Sequence, residues 1–379
     1  MKIIYITNNR VPSEKAHSFQ VIKMCEAFSN AGVEVELWIP RRFNKVKESP
    51  FDYYNLKKIF KIRKIFVIDA IPLSKYLGRF ANLIESISFA IFAFIAACRI
   101  KFDFIYSRDQ FVCWFLSFSR KKFVYEIHSF PKNVSLYKKM WKKTHKIIAI
   151  TQGLKDLLIN HRIDGGKILV ASDAVELADF YVITQAKEEL KIELNLPKDF
   201  IVGYVGKFKT LEMEKGIATM IEALSLLDKE TKMVFVGGED SEIKDYKILA
   251  NRFNVMTQCV FIGYESHIKA IKYMKAADVL VIPFPNKPHY AFYASPLKLF
   301  EYMASGRPII ASDLPALREV LNDKNALFFR PEDTTDLARA VKMLKSSPML
   351  GYHLSRQALA DVKEYTWGKR AKKILEFIK

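Results

Sequence analysis

The sequence predicts an α/β chain of two domains, each a parallel sheet covered by helices. Three observations carry this prediction. Short apolar, β-rich runs alternate with longer segments of helical period along the whole chain, as they do where helical crossovers join parallel strands. The alternation runs through the first half and restarts near residue 200. The 379 residues, half of them hydrophobic, are enough for two cores of ordinary size.

Taken in order, the first half reads as strands at Ile3–Thr7, Glu34–Ile39, Ile65–Asp69, Phe104–Ser107, Phe123–His128, Lys146–Ile150 and Ile168–Ala171. The first apolar run has the length of a buried strand and is too short for a signal-peptide core. Between strands lie helical patterns such as Ala16–Ala31, whose Val21, Met24, Cys25 and Phe28 recur at helical spacing. From Arg79 to Arg99 the chain is strongly apolar, yet only Ile87–Cys98 is nearly free of polar groups. That is too short to span ~30 Å of hydrocarbon, so the segment reads as a well-buried domain helix, with an interfacial membrane helix as the alternative. Phe111–Phe118 reads as core in the same way. Strands then resume at Ile201–Val205, Met233–Gly237, Val260–Ile262, Val279–Pro283, Ile309–Ala311 and Leu327–Phe329. The polar, Lys/Glu-rich stretch Ala178–Lys198 reads as the linker, which places the domain boundary between residues 180 and 181.

Four scattered cysteines form no C-x-x-C pair, so neither a disulfide framework nor a metal site is expected and a reducing cytosol is the natural compartment. The formal net charge is +19, and residues 1–180 carry +14 of it. Such a field attracts anionic membranes, nucleic acid or anionic substrates. Lys132, Lys138, Lys139, Lys142, Lys143, Lys146 and residues 120–122 cluster within it.

The most informative segment is SPLKLFEYMASG, residues 295–306. Ser295 suits an N-cap, Pro296 the first helical turn and Gly306 the exit. A helix opening this way aims the amides of Leu297 and Lys298 outward, and with the dipole they make a site for a pyrophosphate. Glu301, one turn further in, is placed to accept hydrogen bonds from a ribose diol; an ordinary capped helix with a surface glutamate reads equally well. Upstream, Val205-Gly206-Lys207 ends a strand and Glu214-Lys215-Gly216 opens a helix. Glycine lets backbone approach a ligand, and two lysines beyond a parallel strand neutralise phosphates. The P-loop spacing is absent.

As an ordered set, VGK, EKG, VFVGGE, VFIGY, AADVLVIPF and SPLKLFEYMASGRPIIAS resemble the C-terminal domain of retaining family-four glycosyltransferases, across roughly residues 200–330. YEIHSF, IAITQGLKDLL and ILVASDAVELADF extend the likeness into the first half, and YTWGKRAKKILEFI resembles the family's C-terminal helix, which crosses back onto the first domain. The resemblance implies the GT-B fold, two facing Rossmann-like domains: an acceptor-binding one over residues 1–180 plus 362–379, and a nucleotide-sugar-binding one over 181–361. It implies that Gly206, Lys207 and Lys215 hold the donor diphosphate with Pro296, Leu297 and Lys298, that Glu301 contacts the ribose, and that His128 touches the donor sugar near the reacting centre.

One departure stands out. The first glutamate of the family's E-x7-E motif falls on Tyr293, so Tyr293 and Ser295 become candidates for the donor sugar, with Tyr290 and His289 nearby. Glu14, Lys15 and His17, in the loop after the first strand, are acceptor-side candidates. The implied activity is hexosyl transfer with retention, independent of metal and of any cofactor, from a nucleotide-diphosphate sugar, UDP before GDP. The acceptor expected from the basic first half is a lipid-linked or cell-surface polysaccharide precursor, reached from the cytoplasm, peripherally at the inner membrane. Rival readings are a sugar-nucleotide epimerase of the same fold and a basic nucleic-acid-binding protein; the latter leaves the phosphate-site motifs unexplained.

Overall fold

The computed structural model describes residues 1–379 apart from Lys45 and Leu211, and apart from the side chains of Leu73, Ser74, Leu77 and Arg79. It divides into two compact units, Met1–Asp173 with Trp367–Lys379, and Ala174–Thr366.

In the first unit seven parallel strands lie in the order β3-β2-β1-β4-β5-β6-β7: β1 Lys2–Ile6, β2 Glu34–Pro40, β3 Lys61–Ile65, β4 Phe104–Ser107, β5 Phe123–Ile127, β6 Lys146–Ala149 and β7 Ile168–Val170. The central strands β4 and β5 are buried along their whole length, as helix-covered parallel strands must be. The strand order reverses between β1 and β4, and the loops leaving their C-terminal ends bound the crevice where open α/β sheets take ligands. The Ala16–Asn30 helix buries Val21, Met24, Cys25 and Phe28. The final helix, Trp367–Ile378, packs here through Trp367, Ala371, Ile374 and Ile378.

The second unit holds six parallel strands in the order β10-β9-β8-β11-β12-β13: β8 Phe200–Val205, β9 Thr231–Val236, β10 Cys259–Ile262, β11 Val279–Ile282, β12 Ile309–Ser312 and β13 Leu327–Phe329. Its switch point lies between β8 and β11, which pair through Val202 and Gly203.

Four readings are corrected. The stretch Ala178–Lys198 is not a linker: it contains the helices Leu177–Tyr181 and Lys187–Glu193. Phe180, Ile183, Leu190, Leu194 and Leu196 pack into the second unit's core, and Lys187 and Lys191 both pair with Asp278. Val362 joins the same core, so the divisions fall after Asp173 and Thr366 rather than after residues 180 and 361. The third strand lies at Lys61–Ile65, not Ile65–Asp69. It is an edge strand paired only with β2, so its solvent side takes lysine and arginine. The apolar helix Arg79–Cys98 is buried on one face alone: Glu85, Phe89, Ala93 and Ala97 face inward, while Phe80 is 64% and Leu83 42% exposed. Likewise Phe111–Phe118 is only partly core: Val112, Cys113 and Leu116 are buried but Phe118 is exposed.

Candidate functional site

In the second unit the residues singled out around the phosphate motifs converge on the β8–β11 switch point. β8 ends at Val205, and Gly206 turns away with φ 130°. A side chain there is strained by that φ, and its Cβ would stand 2.8 Å from the Lys298 ammonium, which would have to move aside. The Leu297–Ser305 helix is anchored against this turn by Tyr302, whose hydroxyl accepts from Val205 N at 2.7 Å and donates to Val205 O at 3.2 Å. Its first amides, those of Leu297 and Lys298, lie where a helix has no acceptor of its own. Ser295 is not the cap. Pro296 holds the cap position with extended backbone, and its carbonyl accepts the first turn's bond from Leu299 N at 3.0 Å, so the helix opens one residue later than the sequence indicates. Gly306 closes it in the left-handed conformation.

Three lysines gather at this helix end. Lys298 Nζ is buried without a hydrogen-bond partner and stands 3.5 Å from the centre of the Tyr204 ring, whose π face attracts a cation. Burial, and then the charge of Lys215, holds its ammonium well below the usual lysine range. Burial and the neighbouring Lys207 push Lys215 down to about 8. Lys215 precedes Gly216, the left-handed cap of the Ile217–Leu224 helix, and Glu214 accepts from that helix's Ala218 N at 3.0 Å. Burial raises the Glu301 carboxyl. Glu301 faces His267 Nδ1 at 3.9 Å, and His267 Nε2 meets Asp179 at 3.1 Å. The arrangement is a buried, cation-rich helix end with a carboxylate one turn away, chemistry suited to an anion with hydrogen-bond donors beside it.

Tyr293 lies half-buried at the end of a single π-helical turn, His289–Tyr293. Tyr290 is unavailable to a ligand: it stacks on Phe284 at 4.7 Å and donates to Met213 O at 3.3 Å. Burial and Lys215 lower the pKa of His289.

The first unit places His128 directly after β5, at the C-terminal edge of its sheet. His128 Nε2 lies 2.6 Å from Glu126 Oε1, which also accepts from Gln20 Nε2 at 2.6 Å. The other oxygen, Oε2, accepts from the Tyr106 hydroxyl and from Arg370 of the final helix, the latter at 3.0 Å. Arg370 also donates to the carbonyls of Ala171 and Ser172, and Arg108 donates to Gln20 Oε1 at 2.6 Å. Although burial opposes it, Arg370 and then His128 hold Glu126 well below the usual carboxylate range. Burial and Arg108 push His128 down to about 4, so the imidazole is neutral at pH 7. Of the acceptor-side candidates, Glu14 and Lys15 are exposed and His17 is half-buried.

The sequence reading missed Tyr204, His267 and Asp179 in the second unit, and Gln20, Tyr106, Glu126 and Arg370 in the first. Only Glu126 left a trace, as a carboxylate inside the buried run FVYEI.

Residues 199–347 match the family model described as glycosyl transferases group 1. The alpha-monoglucosyldiacylglycerol synthase of Streptococcus pneumoniae is 26% identical over 235 residues, 59% of this chain and 50% of that protein. The chain spans half to three-fifths of the length of the first curated relatives it matches. Among solved structures, sucrose-phosphate synthase from Thermosynechococcus elongatus superposes with a TM-score of 0.78 at 19% identity, covering 99% of this chain and 97% of that one. Anabaena HepE in complex with UDP and glucose gives 0.75 at 16%, with 99% and 98% covered.

Proposed function

For this chain, a glycosyltransferase of the group 1, family-four-like type with the GT-B fold, we propose hexosyl transfer with retention from a nucleotide-diphosphate sugar, UDP before GDP, without metal or cofactor. The observation that carries the donor assignment is the buried, unpartnered Lys298 Nζ beside Lys215 at the head of the Leu297–Ser305 helix. An ammonium sequestered without an anion is costly, and a diphosphate supplies the missing partner. HepE, which is similar in fold, binds UDP, in keeping with the preferred base.

In this reading Gly206 admits the diphosphate, and Lys207, Lys215, Lys298 and the amides of Leu297 and Lys298 hold it. Glu301 accepts from the ribose hydroxyls. Pro296 keeps the helix end open, and Tyr293 and Ser295 border the transferred sugar. The bond from the sugar's C1 to the diphosphate oxygen breaks as the acceptor oxygen bonds to C1 on the same face, and the acceptor's proton passes to the leaving phosphate. The lysines and amides stabilise the charge developing there, commonly the largest catalytic contribution. His128 Nδ1 accepts a hydrogen bond from a sugar hydroxyl, and Glu14, Lys15 and His17 border the acceptor.

The acceptor is a lipid-linked precursor of a cell-surface glycan, met at the cytoplasmic face of the membrane. A relative named for diacylglycerol glycosylation supports this, as do the +14 charge of residues 1–180 and an apolar stripe on the Arg79–Cys98 helix. Along that stripe Phe80, Leu83, Ile84 and Ile95 are exposed and Ile87 and Ile91 partly so. The basic edge strand β3 lies close by, with Phe66 packed on Phe92 at 4.8 Å.

UDP release from UDP-hexoses on a membrane glycolipid fraction tests the activity. Glu301→Ala is expected to lose turnover while keeping its circular dichroism; turnover at the wild-type rate would refute the donor site.

A further inference from the structure

We propose that Glu126 and Arg370 are positioning residues that present His128 in a single tautomer, with Nε2 protonated and Nδ1 left as a bare acceptor. This rests on the reading of His128 as a contact to a sugar hydroxyl, and names what orients it.

The argument is a count of donors. A carboxylate has about four lone-pair sites, and all four are engaged: Oε1 by Gln20 and His128, Oε2 by Tyr106 and Arg370. Arg370 can only donate, and Gln20 presents its NH2 to Glu126 because its own oxygen is taken by Arg108. Glu126 is ionised, since a guanidinium sits 3.0 Å from it in the unit's interior. A saturated, ionised carboxylate accepts from the imidazole and cannot donate to it, so the proton belongs on His128 Nε2. The remaining nitrogen, Nδ1, is then a lone-pair acceptor; the imidazole side chain is 18% exposed.

Arg370 makes the arrangement depend on the end of the chain. It lies 244 residues from Glu126 in sequence, on the final helix, and is tied by Nε to Ser172 O at 2.8 Å. The final helix thus carries, beside its apolar packing, the cation that keeps Glu126 an acceptor.

The substitution Glu126→Gln separates orientation from packing. The glutamine oxygen turns to the Arg370 guanidinium, the stronger donor, and its NH2 turns to His128 Nε2. Nε2 must then accept, and the imidazole proton moves to Nδ1, converting the acceptor into a donor. Two-bond 1H–15N correlation spectra of histidine-labelled full-length protein, with His128 assigned through His128→Gln, read this directly. Expected at pH 7 is the Nε2–H form in wild type and the Nδ1–H form in Glu126→Gln. An Nδ1–H or mixed state in wild type, or an unchanged tautomer in the variant, overturns the proposal. Should Glu126→Gln fail to fold, the wild-type spectrum and Arg370→Lys, which keeps the charge and is expected to retain Nε2–H, decide.

Turnover gives the second readout. UDP release by Glu126→Gln is expected to fall about 10- to 100-fold in kcat, the scale of a misplaced group, with the donor KM held within about twofold as for a loss confined to the transition state. His128→Ala separates the two failures. If it turns over like wild type, the reading of His128 falls. If it is inactive while Glu126→Gln keeps wild-type kcat, the positioning proposal alone falls.

Discussion

Removing the charge of Lys215 is expected to stabilise the empty protein and to abolish its response to nucleotide. Burial, with Lys207 beside it, lowers the lysine's pKa from 10.5 to about 8. At roughly 1.36 kcal/mol per pH unit, this places ~3 kcal/mol between the charged and neutral forms in the folded state. At pH 7 the lysine is protonated in both folded and unfolded chains, so the whole cost is present. Between pH 8 and 10.5 the folded chain gives up the proton first, so the cost shrinks as pH rises and is gone above 10.5.

Lys215→Met keeps the length and apolar stem of the side chain and removes the charge. The second unit's thermal transition at pH 7 is therefore expected to rise by ~6–12 °C, at ~2–4 °C per kcal/mol for a unit of this size, and the advantage should close toward pH 10. UDP at 100 times its dissociation constant stabilises the wild type by ~2.7 kcal/mol, and the variant should lose that shift. Differential scanning calorimetry with and without UDP at pH 7 and 10 measures both effects. A variant that melts no higher than wild type at pH 7, or that keeps the UDP shift, refutes the reasoning.

Two further outcomes are expected. Gly216→Ala places a Cβ 1.7 Å from the Pro283 carbonyl oxygen at a residue with φ 88°, so urea melts should show a loss of ~3 kcal/mol or more. Phe80→Ser with Ile84→Ser removes exposed apolar surface from the Arg79–Cys98 helix and should cut co-sedimentation with anionic phosphatidylglycerol vesicles at least tenfold, since each buried side chain of this kind contributes ~1.5–3 kcal/mol; unchanged sedimentation would count against this face as the lipid contact.

Much of this was legible in the sequence because parallel strands buried on both faces must be apolar along their length. β4 and β13 appear where the apolar runs stand, and most other strands within a residue or two. The Leu297–Ser305 helix was legible through its Pro and Gly punctuation, apart from the shift of its cap to Pro296. What failed shares a cause. β3 reads KIRKI because an edge strand faces solvent, and the more apolar run just after it looked more like a strand. The supposed linker looked polar because it is amphipathic: Leu190, Leu194 and Leu196 go inward and Glu188, Glu189, Glu193 and Lys198 outward, while Lys191 is buried against Asp278.

Polar contacts between residues far apart in sequence are hidden for a different reason. Periodicity reports what lies within a turn or two, whereas Glu126 meets Arg370 across 244 residues and Asp179 meets His267 across 88. One clue nevertheless precedes any coordinates. A carboxylate inside FVYEI, a strand with no solvent-facing side, costs several kcal/mol unless cations and donors enclose it. Residues near it in sequence supply only His128. A guanidinium must therefore come from elsewhere, and the last helix brings one among Lys369, Arg370, Lys372 and Lys373. Of these Arg370 alone lies buried, and it is the one that meets the Glu126 carboxylate. In the proposal made above, the charge that orients His128 therefore arrives with the final helix, and the histidine's tautomer depends on a contact made across 244 residues.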